Sequence, residues 1–263
     1  MNYISASAFV INHPPTFDQY RTRGGVLVKS SGYNFYSASV TGDQRQPVSW
    51  DFSVDRAKDI TDDGWASDLS ADLILKPAVN VKISVGPSFS RQIEPKQFVT
   101  NVSDPANTAF GGLRNVFARL DQRTLSMNTR GNATFTPNLT LEMFAQPFLA
   151  SGRYTDLEEY RAPRSGDVFL YGRDVVTLVE HRDATGHLVR STIDPDGAGP
   201  AAPFDVGNAD FNLHSLRGPP CCGGRTGPAP RCSSSGRRSA RGPTRSATSI
   251  STGTGRRCSA TGR

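Results

Sequence analysis

The feature that most constrains this chain is a period-two alternation of apolar and polar residues, which recurs over long stretches bounded by Pro, Gly, Asn and Asp. Between Trp65 and Leu75 every second residue is apolar or small, while Asp68 and Asp72 fall on the other face. Successive side chains of a β-strand point to opposite sides, so the alternation predicts strands with two different faces. Helical periodicity is nearly absent, and we therefore predict an all-β body built from antiparallel hairpins.

The pattern is repeated after proline-containing turns. The predicted turns are Gln46-Pro47, Lys76-Pro77-Ala78 and Thr136-Pro137-Asn138, followed by strands over residues 48–54, 79–89 and 139–146. Pro87 and Pro147 lie equally far along the last two strands. Because proline fixes φ and cannot donate to a ladder, it separates antiparallel neighbours, and the repetition predicts up-and-down hairpins.

Two environments fit such hairpins, a soluble β-sandwich and a transmembrane β-barrel. Strands of a sandwich usually have about five or six residues, whereas these strands have roughly ten, as a tilted membrane-spanning strand needs. Aromatic residues near strand ends are typical of the girdles of outer-membrane barrels. The residues in question are Trp65, Phe89, Phe135 and Phe148. Although a sandwich explains the two faces equally well, strand length and aromatic placement favour the barrel.

A barrel of this kind would direct the polar face of its strands into a water-filled lumen. Charged residues fall on that face, and a charge facing lipid would be costly. Besides Asp51, the lumen-facing candidates are Asp68, Asp72, Lys82, Arg130 and Glu142. We place this partial barrel in residues 1–218, with residues 151–217 as a long extracellular loop that contains a hairpin near 175–193 and that could present a binding surface.

The formal net charge of +6 is unevenly distributed. Residues 218–263 contain nine Arg, no acidic residue and no aromatic residue, which leaves 21 basic against 24 acidic side chains, a net charge of −3, in residues 1–217. All four cysteines lie in the same tail. The body therefore needs no disulfide, and the basic character of the chain belongs to the tail. We expect no export signal at the N-terminus, and we predict that Met1 is an internal methionine within a strand.

Several stretches resemble the C-terminal barrel of the bacterial domain of unknown function 5916 family. They are Thr22-Arg-Gly-Gly, Gly86-Pro-Ser-Phe-Ser, Phe117-Ala-Arg-Leu-Asp-Gln-Arg-Thr-Leu-Ser-Met, Phe135-Thr-Pro-Asn-Leu-Thr-Leu, Ala145-Gln-Pro-Phe, Ser151-Gly-Arg-Tyr and Asp210-Phe-Asn-Leu-His-Ser-Leu-Arg-Gly. The resemblance covers most of residues 20–218. It implies an outer-membrane barrel whose longer relatives carry an export signal and an N-terminal domain similar to carbohydrate-binding module family 9, through which a glycan could bind. We expect both to be missing here.

The tail breaks the pattern abruptly. With permitted codons, restoring one base within the codon of Gly218 converts residues 218–236 into Gly-Ser-Ala-Val-Leu-Arg-Trp-Glu-Asp-Arg-Pro-Gly-Ser-Thr-Leu-Phe-Leu-Val-Trp, which is again a strand, a turn and a strand. We predict that residues 219–263 are frameshifted, disordered translation. An Arg-rich tail could bind nucleic acid through phosphates, but it lacks a stacking aromatic. Cys221, Cys222, Cys232 and Cys258 lack the spacing of a zinc site.

Other candidate sites are weak. His181 and His187 flank a predicted turn and could face one another across a ladder, although two imidazoles do not make a metal site. Asp194-Pro-Asp196-Gly197 resembles part of a calcium loop without its later ligands, and a turn is the preferred interpretation. Glu158 and Glu159 could serve in glycoside hydrolysis, but adjacent strand residues point oppositely, so we interpret both as solvated loop charges.

The sequence therefore predicts a non-enzymatic part of a bacterial outer-membrane β-barrel, with membrane lipid as its partner and a parent protein that handles extracellular glycans or nutrients. No catalytic residue, cofactor, metal or nucleic-acid partner is expected. With about eight strands and open edges, the isolated chain is expected to aggregate in water. The alternatives are a soluble β-sandwich binding module and a nucleic-acid binder acting through the basic tail.

Overall fold

The computed structural model describes residues 3–136, 139–174 and 177–218, together with the backbone of 221–224 and 240–241. Within these residues the chain is all β apart from one 3-10 turn at Thr108–Phe110. The strands are β1 (Ser5–His13), β2 (Phe17–Asp18), β3 (Val28–Lys29), β4 (Tyr33–Thr41), β5 (Val48–Asp59), β6 (Trp65–Ala78), β7 (Val81–Ser103), β8 (Leu113–Thr136), β9 (Leu139–Tyr160), β10 (Val168–Leu170), β11 (Leu178–Arg182), β12 (Leu188–Ile193), β13 (Phe204–Gly207), β14 (Phe211–Arg217), β15 (Cys221–Gly224) and β16 (Ala240–Arg241).

One large antiparallel sheet dominates the fold. Its order is β1-β4-β5-β6-β7-β8-β9-β14-β16, with β10 and β15 also paired to β9. Strands close in sequence are therefore neighbours in the sheet, as the predicted up-and-down hairpins require. In the described residues the sheet is open, since no ladder joins β1 to the β14 side. A three-stranded sheet (β11-β12-β13) and the short pair β2-β3 lie outside it.

The two ends of the large sheet are connected differently. At one end, residues 42–47 and 79–80 are short links between strands, and we call this the turn end. Residues 137–138 of the predicted turn between β8 and β9 lie outside the described residues. At the other end, residues 14–32, 60–64, 104–112 and 161–210 make the connections, and two of these are long. The predicted turn at Lys76-Pro77-Ala78 is wrong, because β6 continues through Ala78, which pairs with Val81 at the start of β7. Pro77 is accommodated in the register shift between Leu75 and Ala78, where no ladder N–H is required, so the link is residues 79–80.

Strands β7, β8 and β9 have 23, 24 and 22 residues, about twice the expected length. Pro87 and Pro147 do not end them, because each interrupts the ladder on one side only. The β6–β7 pairing has a gap between Ser70 and Leu73, where Pro87 has no N–H to donate, while Pro87 stays paired with β8. Pro147 likewise leaves a gap toward β8 and stays paired with β14.

One face of the large sheet carries exposed apolar side chains, which we call the band. Each of its larger side chains is between 37% and 61% exposed. The members are Val48, Trp50, Phe52, Val54, Leu69, Leu73, Ile83, Phe89, Leu125, Met127, Phe135, Leu139, Met143 and Leu149. Phe148, expected in an aromatic girdle, lies instead on the polar face, because it pairs with Ser126. In the described part of the chain, no helix is long and apolar enough to cross a bilayer.

The far halves of β7, β8 and β9, with the long connections, form a second region that we call the cap (residues 14–31, 94–120 and 153–210). Both clusters of buried apolar side chains lie here. One contains Val28, Phe110, Phe117 and Tyr160, and the other contains Val116, Tyr171, Ile193 and Val206. Phe117 and Val116 are neighbours on β8 and so point to opposite faces, which means that the cap covers both faces of the sheet.

The segment 151–217, predicted to be a single long loop, is divided in the structure. Residues 151–160 complete β9 and residues 211–217 form β14, so the connection itself covers residues 161–210. The hairpin expected near 175–193 is formed by β11 and β12. Pairing of β14 along β9 satisfies backbone groups that a loop would have left to water, which explains the shorter connection.

The tail lies mostly outside the described residues, including Cys232 and Cys258. The backbone of Cys221–Gly224 is described, and it pairs with residues 139–142 of β9 in the register that β14 already uses. The backbone of Ala240–Arg241 pairs with β14. A ladder uses main-chain groups alone, so these short segments can pair whatever side chains they carry.

Candidate functional site

The charged residues predicted to line a lumen share one face of the large sheet. Lys82 of β7 and Glu142 of β9 both lie directly opposite Asn132 of β8. Arg130 is two residues from Asn132 and so points to the same side, with its guanidinium carbon 5.5 Å from the centroid of the Phe144 ring. This group lies toward the turn end of the sheet.

The two aspartates of β6 occupy the same face in an unusual arrangement. Asp68 lies opposite Asp55 of β5, and Asp72 lies opposite Asp51. Like charges directly opposite one another destabilise a sheet. Lys82 lies eight residues along β7 from the partner of Asp68, about 27 Å at ~3.4 Å per residue. The five predicted residues therefore share a face but do not form one site.

A row of serine hydroxyls crosses the polar face between the two aspartate pairs. Three hydrogen bonds join neighbouring strands, namely Ser7–Ser39 at 2.9 Å, Ser53–Ser70 at 2.7 Å and Ser88–Ser126 at 2.7 Å. The row follows directly from the register, since serines pair with serines across adjacent strands. The polar face therefore carries serine hydroxyls over six strands, with the aspartate pairs of β5 and β6 on either side of that row.

The cap contains a buried ionic network centred on Arg114. Its guanidinium donates to Asp104 at 2.6 Å and to Glu159 Oε2 at 3.0 Å. Asn107 Nδ2 donates to Glu159 Oε1 at 3.1 Å, and the Tyr171 hydroxyl donates to Oε2 at 2.5 Å. Burial raises the pKa of Glu159, and its hydrogen bonds from Tyr171 and Arg114 oppose that rise. Both Glu159 oxygens are thus satisfied although the side chain is inaccessible to water.

Glu158 points to the opposite face and is also buried, at 7% exposure. Its Oε1 has no hydrogen-bond partner in the described residues. The nearby Lys96 uses its ammonium on Asp62, at 2.9 Å to each oxygen, and on the carbonyl of Gly166 at 2.8 Å. Burial raises the pKa of Glu158 to about 7, an effect that Lys96 partly opposes.

The interpretation of Glu158 and Glu159 as solvated loop charges is therefore wrong, because both are buried in strand β9. Their opposite orientation agrees with the sequence analysis. The sequence analysis did not detect a β-bulge at this point. Two residues along β8, from Phe117 to Arg119, correspond to three residues along β9. Asp156, within that bulge, has φ of 51°. An extra residue shifts the alternation, so period-two counting fails at this point.

Two cavities open in the cap. The larger, of about 520 Å³, lies between β9 and the small sheet β11-β12-β13, with Tyr154, His187 and Asp210 among its lining residues. The smaller, of about 390 Å³, is lined in part by Glu158 and Lys96. Both have the size of small-molecule sites. Nothing in the alternating pattern predicts them, because the segments that enclose them are far apart in sequence.

The two histidines do not meet. His181 Nε2 lies 2.8 Å from the Thr192 hydroxyl, and His181 pairs with Arg190 across the hairpin. His187 lies in the turn, where its backbone N–H donates to Asp183 at 3.0 Å. Within the described ranges, no group of three His, Cys, Asp or Glu side chains is placed to hold a metal ion.

Asp194 and Asp196 form a turn. Asp194 Oδ1 accepts from the N–H of Gly197 at 2.8 Å, and Asp196 Oδ2 accepts from the N–H of Ala201 at 2.9 Å. Gly197 has φ of 65°, which a glycine adopts without strain. The two carboxylates thus stabilise the local backbone.

No protein-family model, curated protein or solved structure matches this chain.

Proposed function

We propose that this chain is a non-enzymatic part of a bacterial outer-membrane β-barrel. In this proposal the band faces lipid, the polar face lines the lumen and the cap lies outside the membrane. The resemblance described above adds a role in handling extracellular glycans or nutrients. The cap and its cavities are then the surface at which an external ligand would be met.

The observation that carries the proposal is the exposed band. From Leu125 to Phe135 on β8, alternate residues of this face span about 34 Å at ~3.4 Å per residue. A strand tilt of about 40° reduces that height to about 26 Å, close to the ~25 Å apolar band of outer-membrane barrels. Such a surface would aggregate in water, whereas hydrocarbon would cover it without a second layer of protein.

The borders of the band support the same orientation. Toward the cap, the band gives way to Arg56, Arg91 and Arg123 and then to Trp65. The guanidinium carbons of Arg56 and Arg91 lie 4.2 and 5.4 Å from the centroid of Trp65. Tryptophan and arginine at this position are typical of a membrane–water interface.

The only two tryptophans in the chain provide a direct test. Trp50 pairs with Leu73 in the middle of the band, and Trp65 lies eight residues farther along β6, about 27 Å away at ~3.4 Å per residue. The full chain would be folded into phosphatidylcholine vesicles carrying bromine at shallow or deep acyl positions. Trp65→Phe leaves only Trp50 to report, and Trp50→Phe leaves only Trp65.

We expect deep bromines to quench Trp50 most strongly and to leave Trp65 nearly unaffected. Equal, weak quenching of both tryptophans, together with a monodisperse chain in detergent-free buffer, would contradict the membrane proposal. That result would favour the soluble β-sandwich, whose band would then have to be covered by protein.

A further inference from the structure

The border of the band on the cap side carries an unusual concentration of positive charge. Arg91 lies directly opposite Arg123, and Arg56 is separated from Arg91 only by Ser67 on β6. These three arginines form what we call the border row. They occupy one face, because directly paired residues share a face.

The next row toward the cap adds to this charge. Lys58 lies opposite Trp65, and Arg153 lies opposite Asp121. Asp121 supplies negative charge, at 3.0 Å from Arg91 and 3.7 Å from Arg123. Within the described residues no ion pair involves Lys58 or Arg153.

The row contrasts with its surroundings. Two rows of one face hold five cationic groups against one carboxylate, although residues 1–217 together have a net charge of −3. The opposite border of the band is different: its residues are Val81, Ala133, Phe135 and Leu141. Among the described residues of that border, none on the band face is charged. Positive charge is therefore confined to one edge of the band.

Adjacent like charges destabilise a sheet unless anions lie between them. Guanidinium groups donate two parallel hydrogen bonds to phosphate oxygens, and Arg is preferred wherever such recognition matters. The guanidiniums lie immediately beyond the apolar band, which in the proposed orientation is the height at which a bilayer has its phosphates. We propose that Arg56, Arg91 and Arg123 bind the phosphate groups of anionic lipids in the leaflet nearest the cap.

This inference rests on the proposed membrane location and adds the chemistry of the lipid. The test uses the full chain carrying Trp65→Phe, so that only Trp50 reports, and two kinds of vesicle. Both contain phosphatidylcholine with bromine at deep acyl positions, and one of them also contains phosphatidylglycerol. Partitioning from detergent into each would be followed by quenching of Trp50 over a salt series. We expect about ten- to hundredfold stronger partitioning into the anionic vesicles at low salt, because each interfacial Arg is attracted to the charged surface, and a loss of that preference at high salt.

The variant Arg56→Gln/Arg91→Gln/Arg123→Gln should lose most of this preference. A matched control, Arg173→Gln/Arg182→Gln/Arg190→Gln, removes three charges from the cap and should retain it. Because Arg91 also pairs with Asp121, the double variant Arg56→Gln/Arg123→Gln leaves that ion pair intact and should still lose part of the preference.

Equal losses in the border and cap variants would overturn the inference, since the effect would then follow net charge. The same conclusion holds if the chain with all its arginines partitions equally into both vesicles while Trp50 is still quenched in each, and in that case the membrane proposal stands. Absence of Trp50 quenching in both vesicle types would instead reject the membrane proposal itself.

Discussion

The band and the cap share the long strands β7, β8 and β9, with β5 and β6 extending the band, yet the two regions meet opposite requirements. In the band, one side of each strand is apolar and exposed, and the other carries serines and aspartates. In the cap, both sides are covered, and even carboxylates are buried, as Glu159 shows. The comparison shows that the alternation of apolar and polar residues is set by neighbouring residues in the sequence. Whether a face of the sheet is buried depends instead on which distant segments pack onto it.

The two regions also use charge differently. Polar groups of the band region lie along one open face, where water can solvate them. Charges in the cap depend on specific partners, because burial removes water and makes an unpaired group costly. Substitutions that leave a buried charge without its partner, or that place a charge on the apolar band, should therefore destabilise the protein most.

The largest effect is expected from Arg114→Met in the cap. The change leaves Glu159 and Asp104 buried without their cation, which typically costs about 3–5 kcal/mol. Hydrogen exchange of amides 153–174 would measure the loss. Arg190→Met is the control, because Arg190 and Asp205 are about half exposed and such surface pairs contribute only ~0–1 kcal/mol. Equal protection in both variants would show that the Arg114 network does not stabilise the cap.

The second effect concerns the band. Leu73→Arg places a charge on its exposed apolar face, which in an outer-membrane barrel costs about 2–4 kcal/mol near the bilayer midplane. Asp72→Arg puts the same side chain on the opposite face, next to Asp51, and should cost much less. Denaturant unfolding from lipid vesicles would compare the two. If Asp72→Arg were the more harmful change, the assignment of faces to lipid and lumen would have to be exchanged.

The third prediction concerns pH and the cap. Since burial raises the pKa of Glu158 to about 7, the folded cap retains a proton that the unfolded chain releases near pH 4.5. The contribution of Glu158 to the free energy of unfolding of the cap should therefore be greatest below about pH 4.5. That contribution should fall by up to ~3 kcal/mol as the pH rises to 7.

Glu158→Gln removes that titration. In this variant the protection of cap amides from hydrogen exchange, relative to an unfolded chain at the same pH, should vary little between pH 4.5 and 7. A wild-type cap that becomes more stable between pH 4.5 and 7 would show that Glu158 finds a cation when it ionises.

The smallest effect is expected on the polar face. Asp68→Asn removes one member of the like-charge pair with Asp55, and relief of such a pair should stabilise the sheet by about 0.2–1 kcal/mol. Asp205→Asn, which removes a partner from Arg190, is the control and should not stabilise the chain. Denaturant midpoints of both variants would be measured at low and high salt. The gain from Asp68→Asn should shrink at high salt, because screening weakens the repulsion between Asp68 and Asp55 in the unsubstituted protein. No gain from Asp68→Asn would indicate that the carboxylates are already well solvated.

Part of the fold could be predicted from the sequence. The strand that begins at Val48 does so directly after Pro47 of a predicted turn, and β9 begins at Leu139, the residue after the predicted turn Thr136-Pro137-Asn138, whose last two residues lie outside the described residues. The placement of Asp68, Asp72, Lys82, Arg130 and Glu142 on one polar face also follows from counting alternate residues. These features are local, because each depends only on the period of an extended backbone and on the turn residues next to it.

The cap could not be predicted in the same way. Arg114 and Glu159 are 45 residues apart, and the bulge at Asp156 hides which way Glu158 and Glu159 point. The expected strand length of roughly ten residues was wrong for a related reason. A proline that interrupts the ladder on one side of a strand can remain paired on the other side, as Pro87 does, so the strand continues past it.

The sequence by itself therefore determined the two-faced strands, the polar face and the apolar face that forms the band, since alternation requires no information beyond neighbouring residues. Only the tertiary structure decided that half of each long strand is covered, that Glu159 is buried against Arg114, and that the border row brings three arginines together. Those arrangements arise when segments distant in sequence exclude water from the same surface, or when registers align across several strands, and neither is encoded in any one stretch of the chain.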